Sequence, residues 1–439
     1  MIRATFSACA LALGLFLLPL QAASAMEIRE VTSPGGIKAW LVEEHGLPLV
    51  SFAAAFRDAG SASDPAGQEG MAVILSGLLN EGAGDMDAAA YKRALEERAI
   101  SLGMSADSDN FYFSFSTLSE HREEAFRLLS LALTSPRFDA DAVERVKSQM
   151  YVAQKQVEED PESLAGNVFN DLAFPGHPYG RRQYGSPETV GAISADSLRG
   201  FMSARFARDN LFITVVGDIS AEELGQRLDA LFGGLNANAA PHGITDVTMA
   251  QMAPMTVIRQ ENPQSVVVFG APGLRIKDAD FMTANVMNYV LGGGSFSSRL
   301  MTEVREKRGL AYGVSTFLVP NNFSGVIMGQ VATDNARVAE SISVIKAELE
   351  RMRTEGVTDA ELTDAKAYLT GSFALRFDSN GRIASQLLGY QLDELGIDYV
   401  LRRNQLIEAV TREDIARVAA SLLDSGKFGF VVVGAPEGL

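Results

Sequence analysis

The sequence predicts an α+β fold in which one unit is used twice. Three observations carry that expectation. The stretch from Ile193 through Ser194 and Leu198 to the run Leu211–Gly217 is matched, 217 residues later, by Val410 through Thr411 and Ile415 to Phe430–Gly434. The stretch Phe138–Val143, leading to Lys147, is matched 219 residues later by Val357–Leu362, leading to Lys366. Within each half, strand groups precede helix groups, which is α+β order. A unit of roughly 200 residues is a domain and is far too long for a solenoid repeat.

Taken in chain order, residues 1–25 read as an export signal. Arg3 is the basic start, Phe6–Leu20 the apolar stretch, and Ala23-Ser24-Ala25 the small-residue cleavage site. The apolar run is short for a membrane span, which needs about 20 residues. Cleavage before Met26 removes Cys9, the single cysteine, so no thiol chemistry is expected in the mature chain. The expected compartment is the periplasm. Phe111–Ser116 partly alternates and predicts a half-buried strand. Helices are expected over Glu120–Leu133 and Asp141–Val157. Ser194 and Thr411 are predicted N-caps, and Thr358 with Glu361 has capping-box spacing. The β-branched runs that stop at Gly217 and Gly434 predict buried strands. Gly233–Gly243 is small, polar and Pro/Gly-bearing, which predicts an exposed seam. The expected domains are therefore 26–235 and 246–439, joined by a linker over 236–245.

The net charge of −17 repels nucleic-acid phosphates and anionic membranes, so neither is an expected partner. The four histidines, His45, His121, His177 and His242, lie far apart beside charged or turn-type residues, and read as surface or loop positions. No Gly-x-Ser-x-Gly elbow is present. Gly292-Gly293-Gly294-Ser295 follows an apolar helix and lacks the Lys of a phosphate-binding loop. Two readings stand for it: a flexible turn, or a loop whose bare backbone approaches a peptide.

Four segments together resemble the insulinase/pitrilysin family of zinc peptidases. They are Phe56–Ser61 followed by Gly67–Gly70, Phe174–Gly180, Gly292–Arg299 running into Glu303–Tyr312, and the duplication itself. The resemblance implies two α/β-roll domains with antiparallel-dominated sheets, closing like a clamp around a peptide. It also implies a His-x-x-Glu-His motif on the helix after Gly70. Here those positions hold Val73, Ser76 and Gly77, none of which binds zinc or abstracts a proton. The third ligand is implied near Ala153 or Gln154, with Glu158 and Glu159 lying beyond that slot. No metal is therefore expected in this chain, and hydrolysis by it alone is not expected.

The family's second half carries an Arg and a Tyr, seven apart, that grip substrate backbone. Arg305 and Tyr312 have that spacing. The resemblance thus implies substrate-binding roles for Arg305, Tyr312, Gly292, Gly293, Gly294 and Ser295. It implies a hetero-oligomer in which a partner bears His-x-x-Glu-His and the zinc. A peptide-binding scaffold without any role in hydrolysis is the alternative. The stretch Ser105–Asp109 falls where the family's substrate-binding edge strand runs.

Overall fold

A computed structural model describes residues 26–439; the expected signal segment 1–25 lies outside the described residues. The first half builds one sheet from β1 (Arg29–Thr32), β2 (Lys38–Glu43), β3 (Leu49–Arg57), β4 (Ser101–Ala106), β5 (Asn110–Leu118) and β6 (Leu211–Gly217), in the order β1-β2-β6-β3-β5-β4. The second half builds another from β7 (Thr256–Arg259), β8 (Gln264–Pro272), β9 (Ala311–Asn321), β10 (Ser324–Asp334) and β11 (Gly429–Gly434), in the order β7-β11-β8-β10-β9. Apart from β1, the two orders superimpose strand for strand. Only β2–β6 and β7–β11 pair in parallel; the other pairings are antiparallel. The repeat read from the sequence is therefore a repeat of topology.

The helices repeat as well. In the first half the repeated helices are α1 (Met71–Leu78), α2 (Arg122–Thr134), α3 (Ala140–Glu159), α4 (Pro161–Ala173) and α5 (Ala195–Arg205). Their counterparts are α6 (Phe281–Asn288), α7 (Val338–Glu355), α8 (Asp359–Gly371), α9 (Asn380–Leu392) and α10 (Arg412–Leu422). Ser194 and Thr411 are N-caps and Thr358 closes a capping box with Glu361, as the sequence predicts; Ser194 and Thr411 also close boxes, with Ser197 and Asp414. Each half has its own core of helices packed on one sheet face.

The other face of each sheet is covered by the opposite half. α4 lays Ala165, Phe169 and Ala173 on the second sheet, near Val268, Val431 and Val433. α9 lays Ala384, Leu387 and Leu388 on the first sheet, against Trp40, Ala55 and Val216. Gln391 of α9 donates to Ile213 O and Thr214 Oγ1, both at 2.8 Å, which satisfies its amide inside that contact. This exchange explains why β3 and β8 are buried along nearly their whole length. A strand covered on both faces reads as a continuous apolar run and not as alternation.

Between Gly233 and Gly243 the backbone is mostly exposed. Beyond it, Ile244, Met249 and Met252 bury against the second sheet with α4. One edge strand of the first sheet is β4, Ser101–Ala106. Of the stretch Ser105–Asp109 only its first two residues therefore lie in the edge strand, and Asp107–Asp109 form the turn into β5. The correction has a local cause: Asp107 Oδ1 accepts from the Asp109 and Asn110 amides, at 2.8 and 2.6 Å, and closes the turn.

Candidate functional site

α1 begins at Gly70, whose φ of 98° requires glycine. The buried Asp64 carboxylate accepts from Gly70 N at 2.8 Å and Ala72 N at 2.9 Å, at the positive end of the helix. Burial pushes its carboxyl up to about 7 despite those donors. Met71, Ala72, Ile74, Leu75 and Leu78 fill the core. That leaves Val73, Ser76 and Gly77 on the opposite face, as residues three and four apart must be.

That face does not fit a metal. Val73 has no donor atom. Ser76 Oγ donates to Val73 O at 2.8 Å. Gly77 has no side chain, and a Cβ there would sit 3.2 Å from Val146 Cγ1 of α3. Ala153 and Gln154 lie half-buried on α3, and Gln154 Nε2 donates to Tyr184 O at 2.7 Å. Among the described residues, no group of three or more His, Cys, Asp or Glu is placed to hold a metal ion.

The second half presents a cleft of about 540 Å3 that brings Gly292, Gly293, Ser295, Arg305 and Tyr312 together. Gly294 is buried and does not line it. The glycines are not a loose turn. Tyr289–Gly293 is π-helical, and so is Met301–Glu306, which carries Arg305. Such turns are rare and recur at functional sites. A Cβ on Gly292 would lie 2.8 Å from Thr316 N, so only glycine lets this turn press on β9. Ser295 holds φ at 51°, an uncommon conformation outside glycine.

Arg305 stands at the start of β9. Its guanidinium carbon lies 4.6 Å from the Tyr312 ring centre and 4.6 Å from that of Phe296. Cation–π contacts with these two rings hold the group. Tyr312 is 84% exposed. The β9–β10 register shifts between Ala311 and Val314, which places Tyr312 and Gly313 in a bulge and turns the ring outward. Glu162, in the first turn of α4, also lines the cleft. It was missed in the sequence because α4 crosses to the other half's sheet, which no local pattern announces.

The Phe174–Gly180 segment has a separate task. Tyr179 Oη donates to the buried Asp109 Oδ1 at 2.6 Å and accepts from Phe323 N at 3.1 Å, and Asn322 N donates to Asp109 Oδ2 at 2.9 Å. The β4–β5 turn of one half is thereby tied to the β9–β10 turn of the other. Burial pushes the Asp109 carboxyl up to about 6, against the Asn322 and Tyr179 donors.

Comparison with known proteins agrees with this geometry. Residues 50–185 match the family described as Insulinase (Peptidase family M16), and residues 192–369 match the Peptidase M16 inactive domain. The chain is 32% identical over 386 residues to the non-peptidase homolog YmxG of Helicobacter pylori, covering 86% of this chain and 85% of that one. It is 28% identical to the uncharacterized zinc protease ML0855 of Mycobacterium leprae, covering 94% and 93%. A peptidase M16 inactive domain from Pseudomonas fluorescens superimposes with a TM-score of 0.87 at 27% identity, covering 94% of this chain and 98% of that one. With two halves of one topology, a helix that carries no ligand at the metal positions and an inactive-domain match in its second half, the chain belongs to the insulinase (M16) peptidase family as an inactive member.

Proposed function

We propose that this chain is the non-catalytic, substrate-binding subunit of a heterodimeric zinc metallopeptidase of the periplasm. The metal and the base belong to a partner bearing His-x-x-Glu-His, and this chain completes the peptide chamber. What supports the reading most is a division of residues. The α1 face carries Val73, Ser76 and Gly77, whereas one cleft holds Arg305, Tyr312 and the glycine turn. Arg305 offers N–H donors, and the exposed Tyr312 hydroxyl donates toward a substrate oxygen. β9 is the last strand of its sheet, and Tyr312 to Phe317 along it line the cleft. These residues bind and orient; none of them supplies a proton acceptor for attacking water.

The test is to purify residues 26–439 with a tag from its own host, identify what co-purifies in stoichiometric yield, and measure zinc. A similar-sized chain with His-x-x-Glu-His that carries the zinc supports the proposal. A lone metal-free chain, or a homodimer, sinks it in favour of a peptide-binding scaffold.

A further inference from the structure

Arg305 is aimed by the turn that carries it. Among the described residues its side chain makes no hydrogen bond and no ion pair, so its direction rests on two aromatic contacts and on the backbone beneath. That backbone is the π turn Met301–Glu306, closed by Lys307 N donating to Thr302 O at 3.0 Å, five residues back. Such turns are rare, and something must select this one over the α-helix. The selecting contact is Glu303. Its side chain is 8% exposed, and its two oxygens meet different partners: Oε1 accepts from Lys307 Nζ and Oε2 from Arg308 Nη1, both at 2.6 Å. Arg308 Nη1 also donates to Glu303 O at 2.8 Å. Arg308 and Lys307 together hold the Glu303 carboxyl below the usual range, so the bridge is made by the charged form. Lys307 lies four residues on from Glu303, and Arg308 five. On an α-helix of about 3.6 residues per turn, a residue five on points roughly 140° away from the first. One carboxylate reaches both only across the wider turn.

Glu303 also fastens the turn to α7. Arg351 Nη1 lies 3.8 Å from Glu303 Oε1, and Arg351 Nη2 lies 3.0 Å from Glu348 Oε2. The far side of the turn is fixed separately, by Arg337 donating to Gly309 O at 3.0 Å and to Arg308 O at 3.1 Å. The approach to β9 and Tyr312 is therefore held without Glu303, whereas Arg305, two residues from Glu303 on the near side, is not. Lys307 and Arg308, drawn to Glu303, do not line the cleft, and Arg305 does. Resting on the substrate-binding role read for Arg305 above, we propose that Glu303 is the positioning residue of this site: by bridging Lys307 and Arg308 it selects the wide turn that sets Arg305 against Tyr312 and Phe296.

The experiment places a fluorinated tyrosine at position 312 of residues 26–439 and reads its resonance by fluorine NMR. Arg305→Ala supplies the resonance of the unstacked ring. Glu303→Gln and Arg308→Ala should each carry the parent resonance at least half-way to that value. Arg308 is exposed, so its removal should do this with thermal unfolding unchanged. In Glu303→Gln, Arg351 keeps Glu348, so that cation is not left without a partner. In the reconstituted pair, with fluorescein-labelled casein as substrate, Glu303→Gln should lower kcat about tenfold with KM changed less than about twofold. In the Arg305→Ala background it should cost nothing further. An unmoved resonance in Glu303→Gln overturns the proposal and leaves the binding role of Arg305 standing. Movement in Glu303→Gln but not in Arg308→Ala overturns the bridge across the wide turn. Additive losses in the double variant overturn positioning through Arg305. If no pair forms, or Arg305→Ala leaves turnover unchanged, the substrate-binding reading itself fails, and the fluorine shift alone judges the turn.

Discussion

Arg305, Tyr312 and Gly292 are the residues on which the site turns. In the complex proposed above, Arg305→Ala should lower turnover about 10²-fold, the scale of losing one preorganised donor, without affecting assembly. Tyr312→Phe removes only the hydroxyl and should also lower turnover. Steady-state kinetics and size-exclusion chromatography on the reconstituted pair separate chemistry from assembly. Gly292→Ala is a packing prediction. A methyl 2.8 Å from Thr316 N forces the π turn off β9 and should cost about 1–3 kcal/mol by denaturant unfolding. Gly234→Ala, where a Cβ meets nothing within 4 Å, should stay within about 0.5 kcal/mol. The Arg/Tyr spacing and the glycines were legible in the sequence. That Phe296 completes the clamp on Arg305 was not, because the contact depends on how the turn after Gly294 folds.

Among the elements, the exchanged helices α4 and α9 matter most. Leu387 is fully buried on a sheet belonging to the other half. Leu387→Ala should cost about 2–5 kcal/mol, and both halves should still unfold in one transition, because neither sheet is covered without the other half's helix. A calorimetric scan with two resolved transitions would contradict that. α8 carries an acid-sensitive contact. Glu361 caps the helix and receives two hydrogen bonds from the buried Arg299, both at 2.7 Å. Burial alone would raise its carboxyl, but Arg299 and the Thr358 amide bring it down from 4.5 to about 2. A depressed carboxylate stabilises above its unfolded value, and that contribution is lost as pH falls from about 4.5 to 2. Glu361→Gln should therefore lower Tm at pH 6 and narrow its gap to the parent protein near pH 2.

For the whole molecule, the junction of the two halves through Asp109, Tyr179 and Asn322 predicts an opposite pH dependence. Asp109 has its folded value raised from 3.8 to about 6. Its contribution is complete below about 3.8 and is lost as pH rises through 6, because the charged form is the disfavoured one inside the junction. Asp109→Asn keeps an acceptor and cannot ionise. It should flatten the decline in stability between pH 4 and 6 by on the order of 2–3 kcal/mol. Asp64 and Asp393 also titrate near this window, at about 7 and about 6, so the difference between variant and parent is the quantity to measure. An unchanged slope would show that Asp109 stays charged in the folded protein.

The sequence by itself determined the duplication, the capped helices, the buried strands that end at Gly217 and Gly434, and the absence of ligands at Val73, Ser76 and Gly77. Each of these is a local or periodic property, written in residue types a few positions apart. The tertiary structure decided what depends on contacts across more than 100 residues. It set the exchange of α4 and α9, placed Glu162 and Arg305 in the lining of one cleft, and joined Asp109 to Asn322. It also decided that β9 is an edge strand, since Ala311–Asn321 alternates no differently for having one neighbour instead of two. Side-chain patterns record which face of an element is buried, whereas strand order and the pairing of halves are settled by which partner covers that face.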